Sequence, residues 1–269
     1  MSLDTSTRGF GWRAVQFLTV LVYVFMFAPI LVVIVLSFNA SQFGGFPMTG
    51  FSLHWYAKLL ENESVLRAFQ TSLWVAIVTS VVCTALGILA AVALVRYEFP
   101  GKEWVNTILI APALVPETVL GVGLLLLMRF AHQPRTMWLL VLGHIMLALP
   151  YVVLVVQARL IGVKRVYEEA AMSLGANRLQ TFREITLPLI MPAIVASLLL
   201  VFTISFDNVT ASMFWRPSGV ETMPTEILSM LKISISPEIN ALGTLMIVVT
   251  VGLPLLGGGL ARYLARSAR

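Results

Sequence analysis

The stretch Val166-Tyr-Glu168-Glu169-Ala170-Ala171-Met-Ser-Leu174-Gly175-Ala-Asn177-Arg-Leu-Gln180-Thr-Phe-Arg-Glu-Ile185-Thr-Leu187-Pro188 reads as two short helices joined at a glycine. Residues 164–174 suit a helix, with Val166, Ala170 and Leu174 spaced four apart on one face. Gly175 stands where a helix end favours a residue free to take positive φ. Asn177 is a natural N-cap, and Gln180 three residues later completes a capping box. Pro188 is expected to stop this second helix and open the next element. The product is an elbow with a small apolar ridge and charged flanks. Such a knob suits a groove on another protein. An amphipathic hairpin lying on a membrane surface would carry the same pattern.

On either side of the elbow lie apolar stretches long enough to cross about 30 Å of hydrocarbon at about 1.5 Å per residue. Six such spans are expected, at 14–38, 68–95, 104–129, 136–159, 190–214 and 241–261. The fold class is therefore an all-α integral membrane protein. The first span is about 25 residues long, too long for the roughly 7–15-residue core of a signal peptide. Residues 1–13 are expected to be an N-terminal tail and 14–269 one transmembrane domain, with its core at about 68–261 and the elbow loop at 160–189. Pro112 and Pro116 in the third span, Pro150 in the fourth and Pro254 in the sixth fit a packed bundle, where neighbours or cavity water satisfy freed backbone groups. Gly121, Gly123 and the Ala85/Gly87/Ala90/Ala91 group permit close helix approach. The long loops 39–67 and 215–240 are expected to form short helices on the outer surface.

Composition agrees. The 269 residues are 58% hydrophobic and only 12% charged, where soluble domains carry about 25%. The net charge of +5 marks membrane orientation rather than nucleic-acid binding. With both termini inside, 12 of the 18 Lys and Arg fall on the cytoplasmic side and 6 outside, over loops of similar length. Cys83 is alone in an apolar run, and His54, His132 and His144 are scattered, so neither a disulfide framework nor a metal site is expected.

The elbow resembles the signature of binding-protein-dependent ABC importer permeases of the type I fold: E-A-A, three residues, Gly, nine residues, Ile, one residue, Leu-Pro. Glu169-Ala170-Ala171, Gly175, Ile185 and Leu187-Pro188 match it throughout. Within that family the chain looks most like spermidine/putrescine-type permeases, on Leu36-Ser-Phe-Asn39, Phe51-Ser-Leu-His-Trp-Tyr56, Val115-Pro-Glu117, Ser205-Phe206-Asp207-Asn208 and Ser236-Pro-Glu238-Ile-Asn240-Ala241. The resemblance implies a core of five helices with a peripheral first helix. It implies that Glu168, Glu169, Ala170, Ala171, Gly175, Asn177, Ile185, Leu187 and Pro188 belong to a coupling helix seated in a cleft of a cytoplasmic ATPase. It also implies a bacterial inner-membrane location with cytoplasmic termini, a second permease forming a heterodimer, two ATPase copies and a periplasmic solute-binding protein. The solute favoured is a polyamine or related cationic or amino compound; relatives also import opines and iron complexes. Many relatives carry a second acid after Phe-Asp, where this chain has Asn208.

No ATP chemistry is expected in the chain. It holds no G-x-x-x-x-G-K-[ST] loop, and Gly257–Gly259 lacks a lysine. ATP is expected to be used by the partner subunit, with no cofactor bound here. Two acids fall within the expected spans, Glu117 and Asp207. An ionised side chain in hydrocarbon costs about 2.5–3.5 kcal/mol, so each should face a cavity or a partner. Asp207, with Asn208, Ser205 and Glu117, is expected to line a translocation pathway; the alternative is that these residues tie helices together. An ion-gradient-driven transporter, the main rival, predicts inverted repeats and more mid-membrane charge than two acids.

Overall fold

The computed structural model describes residues 8–42, 45–233 and 236–267, and side chains between 12 and 259 within these. Arg269 in the charge count and residues 1–7 of the expected tail lie outside the described residues. The elements are α1 (Arg8–Leu36), α2 (His54–Glu61), α3 (Glu63–Arg96), α4 (Lys102–Ile110), α5 (Glu117–Phe130), α6 (Met137–Ile161), α7 (Val166–Ser173), α8 (Arg178–Thr181), α9 (Leu187–Phe206), α10 (Val209–Trp215), α11 (Met223–Ile233) and α12 (Pro237–Ser267). A 3-10 turn at Ala111–Leu114 follows α4, and a π-turn at Phe182–Thr186 joins α8 to α9.

Five helices are long and apolar enough to cross a membrane, and a sixth crossing exists if α4 and α5 count as one. The expected third span is thus not a continuous helix: its two parts are bent by 110° from one another. Pro112 and Pro116 each remove a backbone donor, and Pro116 takes extended ψ just before Glu117. The expected fifth span also differs. It pauses at Asp207–Asn208 and resumes as α10. Pro188, expected to stop a helix, does not. The chain is helical from Arg178 to Phe206. The π-turn makes this possible: the Leu187 N–H reaches back five residues to the Phe182 carbonyl, widening the turn ahead of the proline ring.

The chain forms two compact units. The first takes residues 1–62 and 230–245. In it α1 is apolar and exposed from Trp12 to Val32. Trp55 is buried and donates from Nε1 to the Asn39 carbonyl at 2.7 Å. Glu238, on α12, is buried and paired with Lys58 of α2 at 2.8 Å.

The second unit takes residues 63–229 and 246–269. Its centre is α3, α6 and α9. Cys83, Ala91, Val152, Val156 and Ile190 are buried among them. Gly87 lets α3 approach closely, since a Cβ there would lie 2.4 Å from the Val152 side chain. That pairing, with Cys83 set against Ile145, makes α3 and α6 run in the same direction. Arg159 bonds to the Leu189 carbonyl and His144 to Ser205, so α9 runs the opposite way. These relative directions are those required of the second, fourth and fifth of six alternating spans. The short helices expected in the two long loops are α2 and α11.

Candidate functional site

The elbow forms as its residues dictate. Gly175 has φ +95°. Its N–H bonds to the Met172 carbonyl at 3.0 Å, and the Ala176 N–H to the Ala171 carbonyl at 3.1 Å. This pair of bonds is a Schellman cap, closing α7 through a left-handed glycine. Asn177 Oδ1 accepts from the Gln180 N–H, and Gln180 Oε1 accepts from the Asn177 N–H, both at 2.9 Å. The ridge is laid open. Leu174 is 91% exposed, and Val166, Tyr167, Met172 and Leu179 are exposed with it.

The elbow residues fall into two groups. Glu169, Ala170, Gly175 and Asn177 are exposed, with Ala171 half-buried beside them. Ile185 and Leu187 are half-buried in and just after the π-turn, and Pro188 is exposed at the start of α9. Glu168 points inward. Its Oε1 accepts from Arg96 Nε at 3.0 Å and from Thr186 Oγ1 at 2.9 Å. Arg96 also donates to the Val163 carbonyl at 3.1 Å. Arg165 donates to the carbonyls of Val95 and Arg96 at 3.2 and 2.8 Å. Sequence reasoning counted Arg96 and Arg165 only as loop charges. Their partners lie 67 to 72 residues away, a distance that periodicity cannot bridge.

The second cluster lies where two spans break. Asp207 is the C-cap residue of α9 and is exposed. Asn208 is buried, and its Oδ1 accepts from the Ala211 N–H at 2.6 Å, capping α10. Its Nδ2 donates to Glu117 Oε2 at 3.4 Å. Glu117 is exposed and begins α5, where the positive end of the helix dipole favours a carboxylate. Asp207 sits at the opposite kind of end: the carbonyl-rich terminus of α9 adds to its negative charge. Ser205, expected beside these groups, is instead buried, with its hydroxyl 2.8 Å from His144 Nδ1. Asn208 and Glu117 are thus brought together, Asp207 is adjacent in the chain, and Ser205 turns into the core.

Trp215, expected to serve core packing, fixes α10. Its ring is fully buried and its Nε1 donates to the Gly121 carbonyl at 2.9 Å. It lies so close to α6 that a Cβ on Gly143 would fall 1.8 Å from the ring.

A family model described as "binding-protein-dependent transport system inner membrane component" matches residues 83–269. The chain belongs to this family. It is a multi-pass inner-membrane permease subunit rather than an enzyme. Among its relatives, the spermidine/putrescine transport system permease protein PotC of Escherichia coli (strain K12) is 40% identical over 230 residues, covering 86% of this chain and 87% of the relative. The putrescine transport system permease protein PotI of the same strain is 37% identical over 243 residues, covering 88% and 85%. Among solved structures, a bacterial ABC transporter involved in import of the acidic polysaccharide alginate superposes with a TM-score of 0.77 over 96% of both chains at 16% identity. The MetNI methionine ABC transporter, in an inward-facing conformation, gives 0.64 over 74% of this permease and 95% of that chain, also at 16% identity. These structural likenesses establish the fold, and the sequence relatives the family.

Proposed function

We propose that this permease is one half of a heterodimeric pore in an ATP-driven importer for a small polyamine or related cationic amine. In this reading both termini are cytoplasmic, the elbow docks into a separate ABC ATPase present in two copies, and a periplasmic binding protein delivers the solute. The chain itself binds no cofactor, and ATP is used by the ATPase. The observation that carries the reading is the open apolar ridge of the capped elbow, rising between two spans. An exposed Leu174 beside a rigid glycine cap is costly in water and useful in a groove. The amine preference draws on the PotC and PotI relatives and on the broken spans. There Asp207 adds its charge to the negative end of α9, a place where a partly dehydrated cation would be stabilised.

The test is to purify the permease with its genomic partners in lipid nanodiscs, and then to measure ATP hydrolysis and amine uptake with and without the binding protein. A complex containing two ATPases, with hydrolysis stimulated by the amine-loaded binding protein, is expected. Uptake that runs on an ion gradient without ATP would refute the importer reading. Stimulation by an opine or an iron complex, but not by polyamines, would refute the substrate alone.

A further inference from the structure

The elbow is fastened to the helices behind it in an unusual way. None of the side chains of α7 is buried, so apolar packing does not hold it down. A cavity of about 290 Å³ instead separates the elbow from the end of α3, bordered by Val92, Tyr97, Met172, Arg178 and Phe182. What bridges this space is polar. Arg96 and Glu168, whose side chains are only 10% and 13% exposed, form the central pair. Glu168 also accepts a hydrogen bond from the Thr186 hydroxyl in the π-turn, and Arg96 reaches the Val163 carbonyl just beyond α6. One ion pair therefore joins the elbow to the cytoplasmic ends of all three core helices, α3, α6 and α9.

We propose that Arg96 and Glu168 are a positioning pair, a clasp that passes motion of the elbow into the core helices, and that Glu168 does not itself meet the ATPase. This rests on the importer reading above. A movement imposed on the exposed face of α7 can reach α3 through Arg165, which holds the Val95 and Arg96 carbonyls, or through the clasp, and of these two the clasp alone also engages the π-turn ahead of α9. A guanidinium fork held by a carboxylate and a carbonyl fixes direction as well as distance. Glu169, the next residue, is exposed at the rim of the cavity.

The experiment uses the complete complex in nanodiscs with a reporter thiol, Val209→Cys, beside the break between α9 and α10. Val209 is 38% exposed, and the native Cys83 is fully buried and silent. The reporter's alkylation rate is compared with and without ATP and vanadate for Arg96→Met, Glu168→Gln and the double variant. Each is expected to retain the ATPase subunit and its hydrolysis while the nucleotide-dependent change in alkylation shrinks at least about tenfold. The double variant is expected to be no worse than either single one, since the pair acts as a unit. Additive losses would overturn the clasp. So would loss of ATPase binding in Glu168→Gln but not in Arg96→Met, which would place Glu168 in the docking surface. If Arg96→Met lowers the yield of complex, Arg96→Lys decides. That variant keeps the charge and loses the fork; reduced coupling at normal yield supports the proposal, and unchanged coupling overturns it. A native complex that recruits no ATPase would instead refute the importer reading, and the clasp's role with it.

Discussion

Substitution of Gly175 separates backbone strain from bulk, because a Cβ built there meets nothing within 4 Å while φ is +95°. The left-handed conformation costs an ordinary residue about 1–2 kcal/mol, and Asn less, because its side chain bonds locally. Opposing relaxation are the two cap bonds from Gly175 and Ala176, worth about 0.5–1.5 kcal/mol each. The terms are comparable, so Gly175→Ala should not unfold the elbow but should populate a relaxed form. If only the native elbow docks, the apparent affinity for the ATPase falls in proportion to the population lost, by at most about 5–30-fold for 1–2 kcal/mol. Titrating the purified ATPase onto nanodisc-embedded permease should give the order Gly, Asn, Ala, Asp from tightest to weakest, Asp adding a charge to the docking face. Membrane insertion should be equal across the series. Ala and Asn binding as tightly as Gly would refute the argument, as would loss of insertion in place of loss of docking.

Gly143→Ala drives a methyl into the Trp215 ring and should destabilise the complex by about 1–3 kcal/mol, read as a lower thermal midpoint. Asn208→Asp replaces the donor to Glu117 with a carboxylate at about the same 3.4 Å; the midpoint should fall, and Glu117→Gln should restore it. Asp207→Asn should lower cation uptake at normal complex yield, because its carboxylate is exposed at the end of α9; normal uptake of the native solute would remove it from the pathway. Cysteines at Ser52 and Ser218 should react with an impermeant reagent in intact cells, and one at Ser173 only after permeabilisation, so external labelling of Ser173 would invert the topology.

Local signals were legible in the sequence where the physics is local. The cap at Gly175 and the box at Asn177 and Gln180 depend on residues within one turn, and both form as their spacing requires. The apolar spans follow from composition in the same way. Pro188 misled because its effect depends on what precedes it: a π-turn at 182–186 absorbs the missing donor, and no residue type announces such a turn. The pause at Asp207–Asn208 was hidden because the run continues apolar through Ala211 and Met213, and only the Asn208 cap marks a restart. Hydropathy registers the bilayer, but not which carbonyl Trp215 will find on Gly121. Contacts such as Arg96 to Glu168 are created by the packing of helices far apart in sequence, and become visible only once the helices are placed.

The unbroken run from Arg178 to Phe206 has a mechanical consequence. Its 29 residues make a lever about 43 Å long at 1.5 Å per residue. The elbow's second arm is its short end, and Asp207 rides at the tip. A tilt of about 5° at the base sweeps the tip through about 4 Å by that length, roughly the width of an alkyl amine. The π-turn near the fulcrum sets the gearing: held straight, it delivers the whole stroke to the tip, and allowed to flex, it spends part of the stroke in bending. If the ridge is gripped as proposed, a small rotation there would be magnified into a displacement of about 4 Å at the Asp207 end of the helix.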